Sequence, residues 1–482
     1  MRNRIIAFIC TSFLAIAGSV PASAQENSNS KTATQNESAP AAKKQSPPPG
    51  SAPKAFHVPQ AEKFSLPNGL EVTLVPYGAI PKVMVALSIR AGNLNEAENQ
   101  VWLADLTGNL MKEGTTSRSA QQVAQEAASM GGSVDVTVGP DITRISGDVL
   151  SEFGPKMVAL LADVAMHPAL PASEVERLKK DQLRTLTIQK SQPQPVAREQ
   201  FVKELYPNHP YGRIFPTEQM IQGFTVEGVQ KFYKDNFGAA RTHVYVAGKF
   251  DPAAVKKAVT EAFSSWEHGP DPLIDIPKPV TKRDFSLIDR PGAVQSTLFI
   301  GLPTIDPSNR DFIPLQVMNA ILGGSFGSRI TSNIREQKGY TYSPFSQLSS
   351  RYRDAYWVQI ADVTAQYTGA SIKEILYEID RLQKEPPSSA ELEGIKNYLA
   401  GVFVLRNSSP GGLINQLEYV DLHKLGDDYL NTYVQNIYAV SAPQVQQMAE
   451  KYIDTQKLTM VVVGDKQKVA DQLTNYEGAG AN

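Results

Sequence analysis

The sequence predicts an α+β fold made of two similar halves, each an antiparallel-rich sheet packed with helices. Three observations predict it. Strand-like and helix-like runs mix without the strict alternation of a βαβ chain. A strand of buried type that ends in Gly and leads into a helix occurs at 239–252 and again from 457. Between the two lies a Pro-rich linker, 268–282. The repeat has the size of a domain and not of a solenoid unit. Of the 482 residues, 41% are hydrophobic. That is enough for two large cores at roughly 100–200 residues per domain, placed at 56–267 and 283–482.

At the start of the chain, Met1-Arg2-Asn3-Arg4 precedes an apolar run to Val20 and then Pro21-Ala22-Ser23-Ala24. A positive start, a short apolar core and an Ala-x-Ala site describe a secretory signal peptide, residues 1–24, cut after Ala24. The run is too short and interrupted for a membrane span. Cys10, the single cysteine, leaves with it, so no disulfide or thiolate metal site remains. Residues 25–55 are rich in Ser, Gln, Ala and Pro and read as a disordered tether. The expected product is an exported chain, periplasmic or extracellular, with no stable membrane span. A formal net charge of −2 without a basic patch argues against nucleic acid as a partner.

In the first half, two strand-like runs flank Asn68-Gly69, a hairpin signal. A further apolar strand spans 83–89. Leu103, Leu106 and Leu110 stand at helical spacing in a helix over 100–112, which Gly114 stops. Ser119 caps a helix to Met130. Gly131-Gly132 then turns into a strand at 133–138, which pairs as a hairpin with 143–150. Helices follow at 153–166 and 173–188. After the strand ending at Gly248, Asp251-Pro252 opens a helix with Asp as cap and Pro in the first turn. In the second half, the apolar run 296–303 reads as a core strand.

The most informative stretch is Leu322-Gly323-Gly324-Ser325-Phe326-Gly327-Ser328-Arg329-Ile330, continuing through Arg335-Glu336 to Gly339-Tyr340-Thr341-Tyr342-Ser343. The glycines predict a flexible loop that permits close approach. Ile330 and Ile334 share a helix face, Gly339 stops the helix, and Tyr340-Thr341-Tyr342 reads as the start of a strand. The chain reverses between Arg335 and Tyr342, so both heads can point into one cleft. Residue chemistry alone leaves open a surface Arg-Glu pair and a core tyrosine.

This string resembles the second half of the pitrilysin/insulinase family of zinc metallopeptidases: a Gly-rich loop, Ser-Arg, a helix ending in Arg-Glu, then Gly-x-x-Tyr-Ser. The resemblance covers nearly all of the chain after the tether and implies two facing domains forming half of a clamshell. It implies substrate and oxyanion contacts for Arg335 and Tyr342. It also places Gly323, Gly324, Ser328 and Arg329 as substrate-binding positions, with loop fixation the main role of Ser328 and Arg329.

Active members of that family carry H-x-x-E-H on a first-half helix, two histidines at i,i+4 ligating zinc around a glutamate base. Aligned on Gly114-Thr115, this chain has Asp105 for the first His, Gly108 for the base and Asn109 for the second His. The distal ligand falls near Arg184 or Thr185, where no carboxylate stands. The strand motif Gly-Gly-x-x-Asn-Ala, whose edge takes substrate by β-addition, becomes Gly131-Gly132-Ser133-Val134-Asp135-Val136. His57, His167, His209, His243, His268 and His423 are nowhere paired at ligand spacing. The resemblance therefore implies a chain that binds no metal itself. It would be the accessory subunit of a heterodimeric zinc metallopeptidase, with zinc and the H-x-x-E-H motif in a homologous partner and a peptide as substrate. The alternatives are a non-enzymatic peptide-binding or assembly protein of the same fold and, least favoured, an autonomous metallopeptidase.

Overall fold

The computed structural model describes residues 57–477. The expected signal peptide and tether, 1–24 and 25–55, lie outside the described residues. The first half carries six strands: β1 (Glu62–Ser65), β2 (Glu71–Pro76), β3 (Lys82–Ile89), β4 (Ser133–Val138), β5 (Thr143–Leu150) and β6 (Thr242–Gly248). They form one sheet in the order β1-β2-β6-β3-β5-β4. Only β2 and β6 run parallel; the other pairs are antiparallel. The expected hairpins at Asn68-Gly69 and at 139–142 are both present. Ser119 caps the helix Ala120–Ser129 by accepting from the Gln122 N–H, and Asp251 caps Pro252–Phe263.

The second half carries β7 (Asp284–Asp289), β8 (Gln295–Thr304), β9 (Phe345–Arg351), β10 (Asp354–Thr364) and β11 (Thr459–Gly464), ordered β7-β11-β8-β10-β9. That order repeats β2-β6-β3-β5-β4 strand for strand, including the single parallel pair, here β7 with β11. The repeat expected from the two Gly-ended strands is thus a repeat of topology, with β1 the addition to the first half. β8 lies between β11 and β10, as expected of a core strand.

The halves interlock. Alternate residues of a strand face opposite sides of a sheet. Met460 and Val462 of β11 pack with the second half's own helices, whereas Val461 and Val463 face the other way. That second face is covered by a first-half helix, Pro193–Leu205, through Ala197, Phe201, Val202 and Leu205. The exchange is reciprocal. Leu413, Ile414 and Leu417 of the second-half helix Pro410–His423 cover Val75, Ala86, Tyr245 and Ala247 on the first sheet. The linker is pinned as well: Arg241 Nε donates to the Pro270 carbonyl at 3.0 Å and the Val280 N–H to the Leu205 carbonyl at 2.8 Å. Among the described residues no helix is long and apolar enough to cross a membrane.

Two local expectations need correction. Gly323 and Gly324 do not sit in a loop; they end a wide helical turn, Ala320–Gly324, that prolongs the helix Phe312–Asn319. The close approach is real, since a Cβ on Gly323 would lie 2.5 Å from Gln359 Oε1 and one on Gly324 2.4 Å from Asn319 Nδ2. Tyr340-Thr341-Tyr342 does not open a strand either. Thr341 makes one isolated bridge to Val363, and β9 starts only at Phe345, after Pro344, which has no N–H to donate.

Phe201 is fully buried, its ring centroid 6.0 Å from Phe299 and 5.5 Å from Tyr356 across the halves. Phe201→Ala should cost about 3–5 kcal/mol, read as a lower urea midpoint of one shared transition. Two separated transitions, with only one displaced, would contradict the interlocking.

Candidate functional site

The second-half site is built on the wide helical turn Thr331–Gln337. Ile330 and Ile334 are fully buried and hold its inner face against the core. Asn333 Nδ2 donates to both Glu374, at 3.0 Å, and Glu378, at 2.8 Å, tying that face to the helix Thr368–Lys384. The Lys338 N–H bonds to the Asn333 carbonyl, five residues back, at 3.1 Å. Gly339 then turns the chain at φ +64°, where an L side chain is strained. The Tyr340 N–H closes the end by bonding to the Ile334 carbonyl at 2.8 Å. Thr341 Oγ1 donates to the Asp362 carbonyl at 2.6 Å, which anchors the segment just before Tyr342.

This geometry puts Arg335 and Tyr342 side by side. The Arg335 guanidinium carbon lies 4.2 Å from the Phe326 ring centroid and 5.3 Å from that of Tyr342. Nε is 3.3 Å from the Glu336 carboxylate. Tyr342 is 80% exposed, and its hydroxyl makes no hydrogen bond among the described residues. Both line a cavity of about 280 Å³ together with Gly323, Gly324, Phe326 and Tyr398. Phe326 and Tyr398 were not singled out from sequence; each is an exposed aromatic that only the fold brings to the pair.

Ser328 and Arg329 face elsewhere, which corrects their placement as substrate contacts. Ser328 is buried and donates to Thr331 Oγ1 at 2.9 Å. Arg329 is buried in a two-pronged pair with Glu391, at 2.8 and 3.0 Å. Arg329 thereby ties the segment to the helix Ser389–Arg406, and Ser328 ties it to its own following turn at Thr331.

In the first half, the helix Leu103–Met111 carries the positions that the resemblance aligns with the H-x-x-E-H motif. Its start is locked by Trp102, whose φ is 74°, whose indole N–H donates to the Ile214 carbonyl at 3.0 Å, and whose carbonyl accepts from Gln182 at 3.0 Å. Asp105 accepts from Asn93 Nδ2 at 2.8 Å. Beside it is Glu96, a carboxylate outside any motif, which accepts from Asn93 at 3.1 Å and from the Ala104 N–H at 2.8 Å. Burial, with a smaller push from Asp105, raises Glu96 to about 8; burial raises Asp105 to about 6. Gly108 is packed shut: a Cβ there would lie 2.6 Å from Val138 Cγ2. Asn109 is partly buried, Thr185 donates to the Asp181 carbonyl at 2.9 Å, and Arg184 donates to the Asp181 carboxylate at 3.0 Å.

These side chains do not fit zinc, which takes imidazole, thiolate or carboxylate donors in a tetrahedron. Among the described residues no group of three or more His, Cys, Asp or Glu is placed to hold a metal ion. The histidines have other neighbours. His209 Nδ1 accepts from the Tyr211 N–H at 3.2 Å. His243 is not a core residue but lines a cleft, its Nε2 2.8 Å from Thr73 Oγ1 and its Nδ1 3.3 Å from Glu71.

Glu96 titrates near 4.5 when unfolded and at about 8 when folded, so folding favours the protonated acid. Its contribution is intact below pH 4.5 and is lost as pH rises to 8. Glu96→Gln keeps an acceptor for Ala104 and does not ionise. It should therefore gain on the native chain by about 2–4 kcal/mol between pH 5 and pH 8. Melting curves across that range check this; a constant gap would contradict it.

Known proteins bear on both halves. The family model described as Insulinase (Peptidase family M16) matches residues 76–216, and that described as Peptidase M16 inactive domain matches 223–399. A Bacillus subtilis (strain 168) protein named uncharacterized zinc protease YmxG is 24% identical over 397 residues, 81% of this chain and 95% of its own. A Helicobacter pylori protein named non-peptidase homolog YmxG is 22% identical over 398 residues, 81% and 90% of the two chains. The crystal structure of a peptidase M16 inactive domain from Pseudomonas fluorescens matches at TM-score 0.78 and 23% identity, covering 84% of this chain and 98% of that one. A protease structure from Helicobacter pylori matches at 0.79 and 19%, covering 85% and 100%. With both models of one family matched in sequence order on a twice-repeated topology, the chain belongs to the M16 (insulinase) peptidase family.

Proposed function

We propose that this chain is the accessory, non-metal-holding subunit of an exported heterodimeric M16 metallopeptidase, completing a partner's active site with Arg335 and Tyr342. The observation that carries this reading is a contrast within one molecule. The rim pair is assembled and open at a cavity, while the metal positions hold Asp105, Gly108 and Asn109 with Gly108 packed against Val138. The partner would be a homologous chain with H-x-x-E-H and would supply the zinc.

In that shared site Arg335 hydrogen-bonds a carbonyl of the bound peptide and offsets charge near it. The Tyr342 hydroxyl has no competing partner among the described residues, so it is available to donate to the oxyanion that forms as the peptide bond is attacked. The Phe326 ring keeps the guanidinium from collapsing onto Glu336 alone. Gly323 and Gly324 leave room for a peptide backbone to pass close to the rim.

A second reading, a peptide-binding or assembly protein without hydrolytic partner, is favoured by one relative's name, non-peptidase homolog. An autonomous metallopeptidase has least support, because of positions 105, 108 and 109 only Asp105 offers a donor that zinc takes and no second and third ligand stand with it among the described residues.

Mixing the chain with an H-x-x-E-H-bearing M16 subunit from the same source should give peptide cleavage that neither shows alone. In the mixture Arg335→Ala or Tyr342→Phe should lower kcat by about 10²–10³, the scale of a lost oxyanion donor. An active mixture indifferent to both substitutions would refute the role of the pair. A mixture that binds peptides without cutting them would favour the second reading, and one zinc with cleavage by the chain alone would favour the third. Export predicts that the protein isolated from its host begins at Gln25, read by N-terminal sequencing.

A further inference from the structure

A cavity of about 950 Å³ opens between the first half and the covered face of the second sheet. It is distinct from the Arg335 rim, with which it shares no lining residue. Its floor is aromatic, with Phe299 and Tyr356, and Trp102 stands on its wall. Gln347, Ser349 and Arg351 alternate along β9 and present one face of that edge strand to it. Gln189 and Gln192 line it as well.

The charge in this cavity is unbalanced. Arg198, Arg213 and Arg351 line it, and among the described residues none has a carboxylate within ion-pair distance. Arg351 donates to Ser349 Oγ at 3.2 Å and to the Ser350 carbonyl at 2.9 Å, so its fork is held in place by its own strand. The one acidic lining residue, Asp362, is held in place by neutral donors, accepting from Gln194 Nε2 at 2.6 Å and from Thr297 Oγ1. Nearby carboxylates are also engaged, Asp141 by the Tyr211 hydroxyl at 2.5 Å and Asp354 by the Tyr206 hydroxyl. The lining thus holds three guanidinium groups against the single carboxylate of Asp362, with the Arg351 charge also felt by Asp354, and the site keeps an excess of positive charge.

We propose that this cavity binds an extended acidic peptide segment, its side-chain carboxylates meeting Arg198, Arg213 and Arg351 and its backbone meeting the glutamine amides and the β9 edge. The guanidinium fork suits carboxylates, and side-chain amides serve both the donors and the acceptors of a peptide backbone. An edge strand offers further unpaired backbone groups. The size and the mixed aromatic and amide lining suit several residues of chain better than a single small anion. Every wall belongs to this chain, so the inference does not depend on a zinc-holding partner.

The test uses the purified chain alone with fluorescently labelled decapeptides of one sequence carrying four Glu, four Gln or four Lys. Trp266 and Trp357 are buried in the cores, so a change in tryptophan emission reports Trp102 and places the peptide in this cavity. The Glu peptide should bind about tenfold tighter than the Gln peptide in low salt and lose most of that margin near 0.5 M, as screened charge contacts do. The Lys peptide should not bind. Arg213→Gln should weaken the Glu peptide severalfold while Arg213→Lys keeps most of the affinity. The triple change of Arg198, Arg213 and Arg351 to Gln should erase the preference for Glu at an unchanged melting temperature. Equal binding of the Glu and Gln peptides overturns the proposal. So does a triple variant that folds and keeps the preference, or full displacement by inorganic phosphate at the same charge concentration, which would mark a small-anion site. A failed cleavage assay with a partner leaves this result unaffected.

Discussion

The reciprocal covering of the two sheets is the constraint from which the rest of the architecture follows. Each sheet buries one face under its own helices and the other chiefly under one helix lent by the opposite half, with neighbouring residues such as Tyr211 and Leu430 completing the cover. Without Pro193–Leu205, the side chains of Phe299, Ile360, Val461 and Val463 would face water. Without Pro410–His423, those of Val75, Ala86 and Ala247 would. Burial of the valine, isoleucine and phenylalanine side chains among these stabilises by roughly 1.5–3 kcal/mol each, so separating the halves is costly even though each has a complete topology. The exchange also sets the positions of the functional surfaces. It leaves β4 and β9, one edge strand of each sheet, uncovered by a further strand and creates the arginine-lined cavity beside β9.

Much of this architecture was legible residue by residue. Asn68-Gly69, Ser119, Gly131-Gly132 and Asp251-Pro252 each carry a local backbone reason for a turn or cap, and the structure has a turn or cap at each. Local rules mark only the starts of the two covering helices: Ser409-Pro410 repeats the cap-and-proline signal of Asp251-Pro252, and Pro193 stands in a first turn. The buried stripe of Ala197, Phe201 and Leu205 is short. What makes these segments helical is the sheet they lie on, which is distant in sequence. The misread strand at 340–342 has the opposite origin. Its aromatic and β-branched composition suits a strand, but Pro344 denies the ladder a donor and leaves Tyr342 in the open.

The candidate site divides along the same line. The Arg335–Tyr342 juxtaposition rests on short-range features, the buried Ile330 and Ile334 and the left-handed Gly339, and a spacing pattern captures it. Glu96 and Phe326 join their sites through tertiary placement, and nothing in their local sequence marks them. The substitutions at 105, 108 and 109 were plain from the chain. How closely their surroundings pack was not. Asp105 is tied to Asn93 beside the buried Glu96 carboxyl, and Val138 on the strand opposite fills the space over Gly108.

That valine ties two distant positions together. Val138 lies on β4, thirty residues beyond the helical glycine it touches, and its branched side chain has little rotamer freedom with which to withdraw. Any larger residue at 108 must wait for a smaller one at 138, and a cavity opened at 138 alone lowers stability until 108 fills it. The pair is therefore epistatic. A glutamate at 108 would have to enter the space that Val138 Cγ2 fills, so the identity of the residue on the helix is set by the branching of the one on the strand.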